Sequence, residues 1–307
     1  MEIKGIFVTA LAPFENHIAN GGEKLLGNAS SIKRRPDGRV YISGQMQRHV
    51  LFSAIDRLNM VDPDKGETFV SNGDGVSNQI EKDIRADMGG FMHPNKGDYS
   101  GRRTAPLSVT PAIAIDESEV GRDLLVRIRL DTSDNARDQA LATKEFSQSD
   151  LMHMSFFLDI SALSISKSFK YENGFNIETK YFKHATELER KRRAKLFLNA
   201  TRLMNDYANQ ARNAVSGEPR KVLIVFDTIL SRKASRYYRA SEQEQKNILA
   251  EIEDRGAKFF MGDDTTEGSV SKAYKDALEF LNNEVNVLYD PSKSDEVLTF
   301  EEAFNRE

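Results

Sequence analysis

The run "IKGIFVTALAPF" alternates well enough for a strand, and Pro13 ends it. Residues 14–37 are polar and rich in Gly and Asn, a loop pattern. "RVYIS" reads as a short strand that delivers Ser43 as the N-cap of a helix. Val50, Leu51, Ala54, Ile55 and Leu58 then recur at helical spacing, so the rear of that helix faces a core. Periodicity is lost over residues 59–104, apart from a short helix around residues 79–88. A connection of that length inside a compact domain is a functional insertion or a disordered one.

Strand-like segments return at "PLSVTPAIAID" and "DLLVRIRLD", followed by a polar linker, "TSDNARDQA", and by "LMHMSFFLDISALSI", the most β-like stretch of the chain. "SKSFKYENGFNIETKYFKHA" predicts a hairpin, with aromatic and basic residues alternating on both sides of an Asn173-Gly174 turn. Thr186 and Glu189 have capping-box spacing and open a helix expected to run to about Val215, burying Leu196, Ala200, Leu203, Met204, Tyr207 and Ala211 before Gly217 closes it. "KVLIVFDTI" reads as a central strand. The remainder, from Ser241, reads as peripheral helices, "SVSKAYKDALEFLNNE" being the clearest. Without the insertion and the hairpin, the order is close to the β-α-β-β-α-β pattern of a ferredoxin-like or RRM-like sheet, an α+β fold.

At 307 residues, 39% hydrophobic and 29% charged, the chain has the composition of a soluble globular protein. No apolar run is long enough to span a membrane, and the opening "MEIKGIFVTALAPFE" lacks the features of a signal peptide. The absence of cysteine removes disulfides, thiolate nucleophiles and Cys-based zinc sites, and fits a reducing cytoplasm. The net charge of −4 averages two unlike regions: from Ser241 onward 7 Lys and Arg face 17 Asp and Glu, whereas the first 240 residues hold 36 against 30. A basic body with an acidic end suits a bound polyanion, or the packing of basic and acidic faces between copies.

Signatures of catalysis are missing. There is no "GxxxxGK[ST]", "GxSxG" or "HExxH", and no two of His17, His49, His93, His153 and His184 have a metal-ligand spacing. Asp263, Asp264 and Glu267 in "MGDDTTEG" read as a solvated acidic loop, and "SNGDG" as a turn. The sequence therefore leads to the expectation of a non-enzyme without metal or cofactor.

Positive charge is concentrated in a few places. The loop before the first helix supplies Lys33, Arg34, Arg35 and Arg39, and the helix supplies Arg48. Arg102 and Arg103 end the insertion, and the hairpin carries Lys167, Lys170, Lys180 and Lys183 among Phe169, Tyr171, Phe175, Tyr181 and Phe182. "ELERKRRAKLF" is expected to be a solvated helix face balanced by Glu187 and Glu189, and "SRKASRYYRA" follows the last strand. A helix N-terminus presents free N–H donors and a favourable dipole to phosphate. Ser43 and Gly44 let a backbone approach closely, with Gln45, Arg48 and His49 on the adjoining turns. A basic-aromatic hairpin offers wedges for unstacked bases, although its aromatics could equally pack on the core.

"YISGQMQRHVLFSAI" resembles the corresponding segment of the CRISPR-associated backbone subunits of type I Cascade complexes, in their DevR-type autoregulator branch. "GRRTAPLSVTPAIAI" and "LMHMSFFLDISAL" resemble the next segments of that family, in order, over about residues 1–230. The resemblance implies an RRM-like palm at residues 1–58 and 105–240, a finger insertion at 59–104, a thumb hairpin at about 162–185, and an acidic, mostly helical region at 241–307 packed on the palm. It implies copies stacked head to tail along CRISPR RNA, beside other Cascade subunits, with the guide presented for pairing to target DNA. Ser43, Gln45 and Arg48 would contact guide phosphates. His49 shares that motif, with a ring that can turn to RNA or to the core. Lys33, Arg34 and Arg35, Arg102 and Arg103, and Lys167 and Lys170 complete the candidate surface by location. Related type III subunits cut target RNA with an acidic residue in the loop after the first strand. Here residues 14–36 hold only Glu15 and Glu23, which favours a non-cutting subunit, with a metal-dependent endoribonuclease as the alternative.

Overall fold

The computed structural model describes residues 1–26, 29–72, 77–92, 102–130 and 137–304. Strand β1 (Gly5–His17) is buried along most of its length. Ile6, Val8, Ala10, Ala12 and Phe14 enter one core, and Phe7 a second core on the other face. A strand covered on both sides reads as a nearly unbroken apolar run, as this one does. β2 (Tyr41–Ile42) leads into α1 (Gly44–Val61), and α2 (Ile84–Gly89) lies within the aperiodic segment. Four strands follow: β3 (Leu107–Val109), β4 (Ala112–Ala114), β5 (Val120–Leu130) and β6 (Arg137–Asp159). β7 (Ile165–Glu172) and β8 (Phe175–Lys183) precede α3 (Glu187–Ala200) and β9 (Lys221–Asp227). The C-terminal part contributes α4 (Glu242–Asp254), β10 (Lys258–Asp263) and α5 (Val270–Asn282).

The main sheet runs β10-β9-β1-β6, with β3 and β4 on the far side of β6, and these neighbours are antiparallel. α1, α3 and α5 cover one face, while a 3-10 helix (Lys233–Arg239) and α4 cover part of the other. The fold is α+β, as the periodicity indicates. β7 and β8 form their own two-stranded sheet around Asn173 and Gly174, whose φ values of 50° and 84° are the left-handed pair that a two-residue turn requires. No helix among the described residues is long and apolar enough to cross a membrane.

Several expectations fail for identifiable reasons. The helix opened by Thr186 ends at Ala200 and not near Val215. Beyond it Asn209 adopts φ 63°, and the amides of Asn209 and Asn213 donate to the carbonyls of Ile18 and Asn16, so short polar side chains divert the backbone into turns. Met204 and Tyr207 are buried all the same, and Gly217 donates to Met204 O from a loop. The polar linker after β5 is, from Arg137 onward, the first part of β6, which pairs with β5 over residues 137–147; residues 131–136 lie outside the described set. The region after Ser241 supplies an edge strand, β10, as well as helices.

The largest departure is on α3. Arg190, Arg192 and Arg193 are buried and do not form a solvated face. Arg193 Nη1 lies 2.7 Å from Asp87 Oδ2, and its Nε 2.7 Å from Glu189 Oε1. Arg192 bonds Glu189, Asp62, Asn59 and Thr68. Arg190 reaches the carbonyls of Ile160, Leu163 and Tyr289. Thr186 does cap the helix, but the carboxylate of Glu189 goes to these arginines.

Candidate nucleic-acid interface

Ser43 is the N-cap of α1: its φ of −60° and ψ of 150° lie outside the helix, and its Oγ accepts from Met46 N at 3.2 Å. Its approach is fixed from below. His17 Nε2 lies 2.7 Å from Asp150 Oδ2, Ser118 Oγ donates to Asp150 Oδ1, and Val40 N donates to Ser118 Oγ at 3.0 Å. Those bonds tie the strand before the cap to β6. A Cβ on Gly44 would meet Val109 O at 3.4 Å and Pro111 N at 3.6 Å, so the first turn rests against the link between β3 and β4.

The first turn divides its polar residues. Gln45 and His49 are exposed, so the His49 ring does not point to the core. Gln47, which sequence reasoning passed over, is fully buried: its Oε1 accepts from Tyr207 Oη at 2.8 Å, and its Nε2 donates to Met154 Sδ at 3.6 Å. Arg48 is half-buried. Its Nη2 donates to Gly89 O at the end of α2, and its guanidinium lies 5.5 Å from the Phe52 ring centre, a ring that Arg85 also covers at 4.7 Å. Burial, and then the Arg85 charge, push the Arg48 pKa down. A nearby anion would oppose both effects by favouring the charged guanidinium.

α2 connects this turn to the hairpin. Asp87 is completely buried, yet its carboxyl pKa is lowered. Burial would raise it, and the Arg103 and Arg193 guanidiniums, helped by Ser164, outweigh that effect. Ser164 N and Oγ each donate to Asp87 at 2.7 Å, at the base of β7. Arg103 Nη2 donates to Asp87 Oδ1 at 2.8 Å and to Ala162 O at 2.6 Å. Arg103, expected to be a phosphate ligand, is therefore a largely buried internal clamp, its side chain only 7% exposed. Arg102 pairs in the adjoining short strand, and its side chain lies outside the described residues.

The hairpin beyond this clamp is exposed. Phe169, Tyr171 and Phe175 are 52%, 63% and 74% exposed, so they do not pack on the core. Lys167 is exposed, with Nζ 5.5 Å from the Tyr181 ring centre, and Lys170 lies 3.6 Å from Glu172. Lys183 is buried against Asp290 at 3.0 Å. A cavity of about 340 Å³ opens at the hairpin base, lined by Arg103, Asp159, Ser166, Lys167 and Phe169 among others. In the loop before α1, Lys33 is half-buried and Arg34 is 3.9 Å from Glu145. Arg35 and Arg39 share Asp37, whose carboxyl is lowered to about 2, chiefly by the Arg39 hydrogen bond.

The structure thus brings Ser43, Gln45, Arg48 and His49 together, joins them through α2 to the hairpin base, and diverts Arg103 inward. Asp87 was not foreseen from the sequence. Its only signal was a carboxylate next to Ala86 and Met88, masked by Asp83 and Arg85 close by, and a buried carboxylate needs a cation. The acidic "MGDDTTEG" loop is accounted for locally: Asp263 pairs with Lys221 at 2.7 Å, and Asp264 Oδ1 accepts from Val270 N at the start of α5.

The sequence profile described as "CRISPR-associated negative auto-regulator DevR/Csa2" matches residues 29–215, more than half of the chain. The chain belongs to the DevR/Csa2 family. Two solved structures share its fold. One, described as a CRISPR RNA-guided surveillance complex, has a TM-score of 0.50 at 14% identity, covering 88% of this chain and 92% of its own. Another, described as such a complex before nicking, has a TM-score of 0.51 at 13% identity, covering 90% and 99%. No curated protein matches this DevR/Csa2 member.

Proposed function

We propose that this DevR/Csa2 protein is a CRISPR-RNA-binding backbone subunit of a type I Cascade complex, polymerising head to tail along the guide and presenting it to target DNA. The observation that carries this reading is the capped first turn of α1, with Gln45, His49 and half-exposed Arg48, anchored through α2 to an exposed basic-aromatic hairpin. Such a surface grips ribose-phosphate and leaves sequence to base pairing. The solved structures with this fold come from RNA-guided surveillance complexes, which supports the same reading. In this reading residues 1–58 and 105–240 form an RRM-like palm, whose strand order β9-β1-β6-β3/β4 supports the assignment. Residues 59–104 are the fingers, the hairpin is the thumb, and the region from Ser241 packs on the palm.

Arg48→Ala is expected to reduce guide affinity in the assembled state and to flatten the salt dependence by about 0.7 in log–log slope, one phosphate contact on a single strand. Unchanged affinity and slope would refute the assignment, and so would co-purifying RNA without repeat-derived ends. We further propose that the subunit does not cut RNA, because Glu15 and Glu23 are the only carboxylates at 14–36 and Glu15 accepts from Ser149 Oγ at 3.0 Å. Regular Mg²⁺-dependent cuts in a complementary RNA would instead assign the nuclease role.

A further inference from the structure

The sequence "SRKASRYYRA" contributes nothing to the surface just described, because its 3-10 helix lies on the opposite face of the sheet. Arg57, Arg122, Arg192 and Arg255 sit within ion-pair distance of a carboxylate, whereas, among the described residues, Arg212 and Arg220, scattered over the loop before β9, do not. Arg232, Arg236 and Arg239 are exposed and, among the described residues, have none. Lys233 is excluded from this group by its pair with Glu251. Two of the three lie near the sheet. The Arg232 guanidinium lies 4.3 Å from the ring centre of Phe157 on β6, and Arg239 is close enough to His153 to help burial hold that imidazole neutral.

At the tyrosines of this turn is a cavity of about 440 Å³, lined by Tyr237, Tyr238, Leu11, Met261 and the Lys221–Asp263 pair among others. Its volume falls within the range of small-ligand clefts. Tyr237 and Tyr238 stand between Arg236 and Arg239 in sequence, so one turn presents cations outward and aromatic rings to the cavity. Guanidiniums without a carboxylate partner among the described residues thus stand next to a slot with two tyrosines on one wall and Gln245, Thr266 and the Lys221–Asp263 pair on the others. They supply the cationic and stacking parts of a single-strand binding surface, together with polar groups for a base edge.

We propose that Arg232, Arg236 and Arg239 bind the phosphodiester backbone of a single-stranded nucleic acid, with one base entering the Tyr237–Tyr238 cavity. The site is separate from the α1 and hairpin surface. Two sources share this chemistry, a displaced DNA strand and an RNA segment, and the test distinguishes them.

The experiment uses the full chain, alone and co-purified with its RNA, and the triple variant Arg232→Gln, Arg236→Gln, Arg239→Gln. The probes are a 30-nucleotide single-stranded DNA with no complement to any guide, and an RNA of the same sequence. The variant is expected to bind the DNA at least tenfold more weakly at 0.1 M salt, with a log–log salt slope smaller by about two, as three lost single-strand contacts require. Its RNA content after purification is expected to match that of the wild type, and 5-iodouracil in the probe is expected to crosslink to Tyr237 or Tyr238. A selective loss of RNA would identify RNA as the source. Unchanged affinity for both probes would overturn the proposal, as would crosslinks confined to the hairpin aromatics. So would a loss of self-association at unchanged strand affinity, which would assign the patch to an acidic face of a second copy. An Arg48→Ala control keeps the two surfaces apart: if it retains its RNA while the triple variant loses strand binding, the guide reading fails and this one stands.

Discussion

His184 and His153 are both pushed down to about 4 by burial. At His184 the bond to Leu298 O partly opposes the shift, and Arg103 reinforces it; at His153 Arg239 reinforces it. Each stays neutral in the fold, whereas the unfolded chain takes up a proton near pH 6.5. The unfolded state therefore binds more protons between pH 6.5 and 4, and stability is lost as the pH falls through that window. Each histidine is expected to account for up to about 3 kcal/mol at full effect. Urea midpoints measured at pH 7, 5 and 4 check this, and His184→Asn, which removes one titration, should flatten the profile. Parallel profiles for the two proteins would refute it. At this scale the sequence was informative where chemistry is local, as at the caps Ser43 and Thr186. It was silent where a partner is remote: nothing near Arg190 or Arg193 announces Ile160, Leu163 or Asp87.

Between elements, the decisive contact is made by a helix of six residues. α2 is too short to be stable alone, and it is fixed because Asp87 accepts from Ser164 at the hairpin base, Arg103 beside it and Arg193 on α3. Asp87→Asn would remove the buried carboxylate that Arg103 and Arg193 share, leaving Arg193 with Glu189, a loss of about 3–5 kcal/mol. The destabilisation is expected to be accompanied by faster amide exchange at residues 160–165, where the hairpin joins the body. A change below about 1 kcal/mol, or exchange confined to surface loops, would show that α2 does not anchor the hairpin. Elements with strong periodicity or a strong turn signal were legible: α1, β9, the Asn173-Gly174 hairpin, and β1 as far as Pro13, which was expected to end the strand but is paired within it as it runs on to His17. Those governed by tertiary contacts were not. α3 stops at Ala200, ahead of turns in which Asn209 and Asn213 bind the end of β1, and β10 is an edge strand whose sequence, "KFFMGD", is short and without alternation.

For the whole molecule, the charge asymmetry between body and C-terminal region showed only that a polyanion was plausible, and the surface that would hold it required three-dimensional placement. Among the exposed large apolar side chains are two groups. One is the hairpin, with Phe169, Tyr171, Phe175 and Ile177; the other is the extension of the sheet, with Leu124, Val126 and Leu141. Val126 pairs with Leu141, and Leu124 with Thr143, which in turn pairs with Ala29. Exposed apolar clusters at different places on one chain suit a heterologous contact that repeats from copy to copy. β7 and β8 pair with each other and their outer halves bury little, so they add little to the stability of a single copy. Replacing residues 168–180 by a short Gly-containing turn is therefore expected to leave the melting temperature within a few degrees of the wild type and to abolish guide-length particles in light scattering. Particles of normal length would remove the hairpin from the repeating contact, and a large fall in melting temperature would mean that it belongs to the core of the single chain.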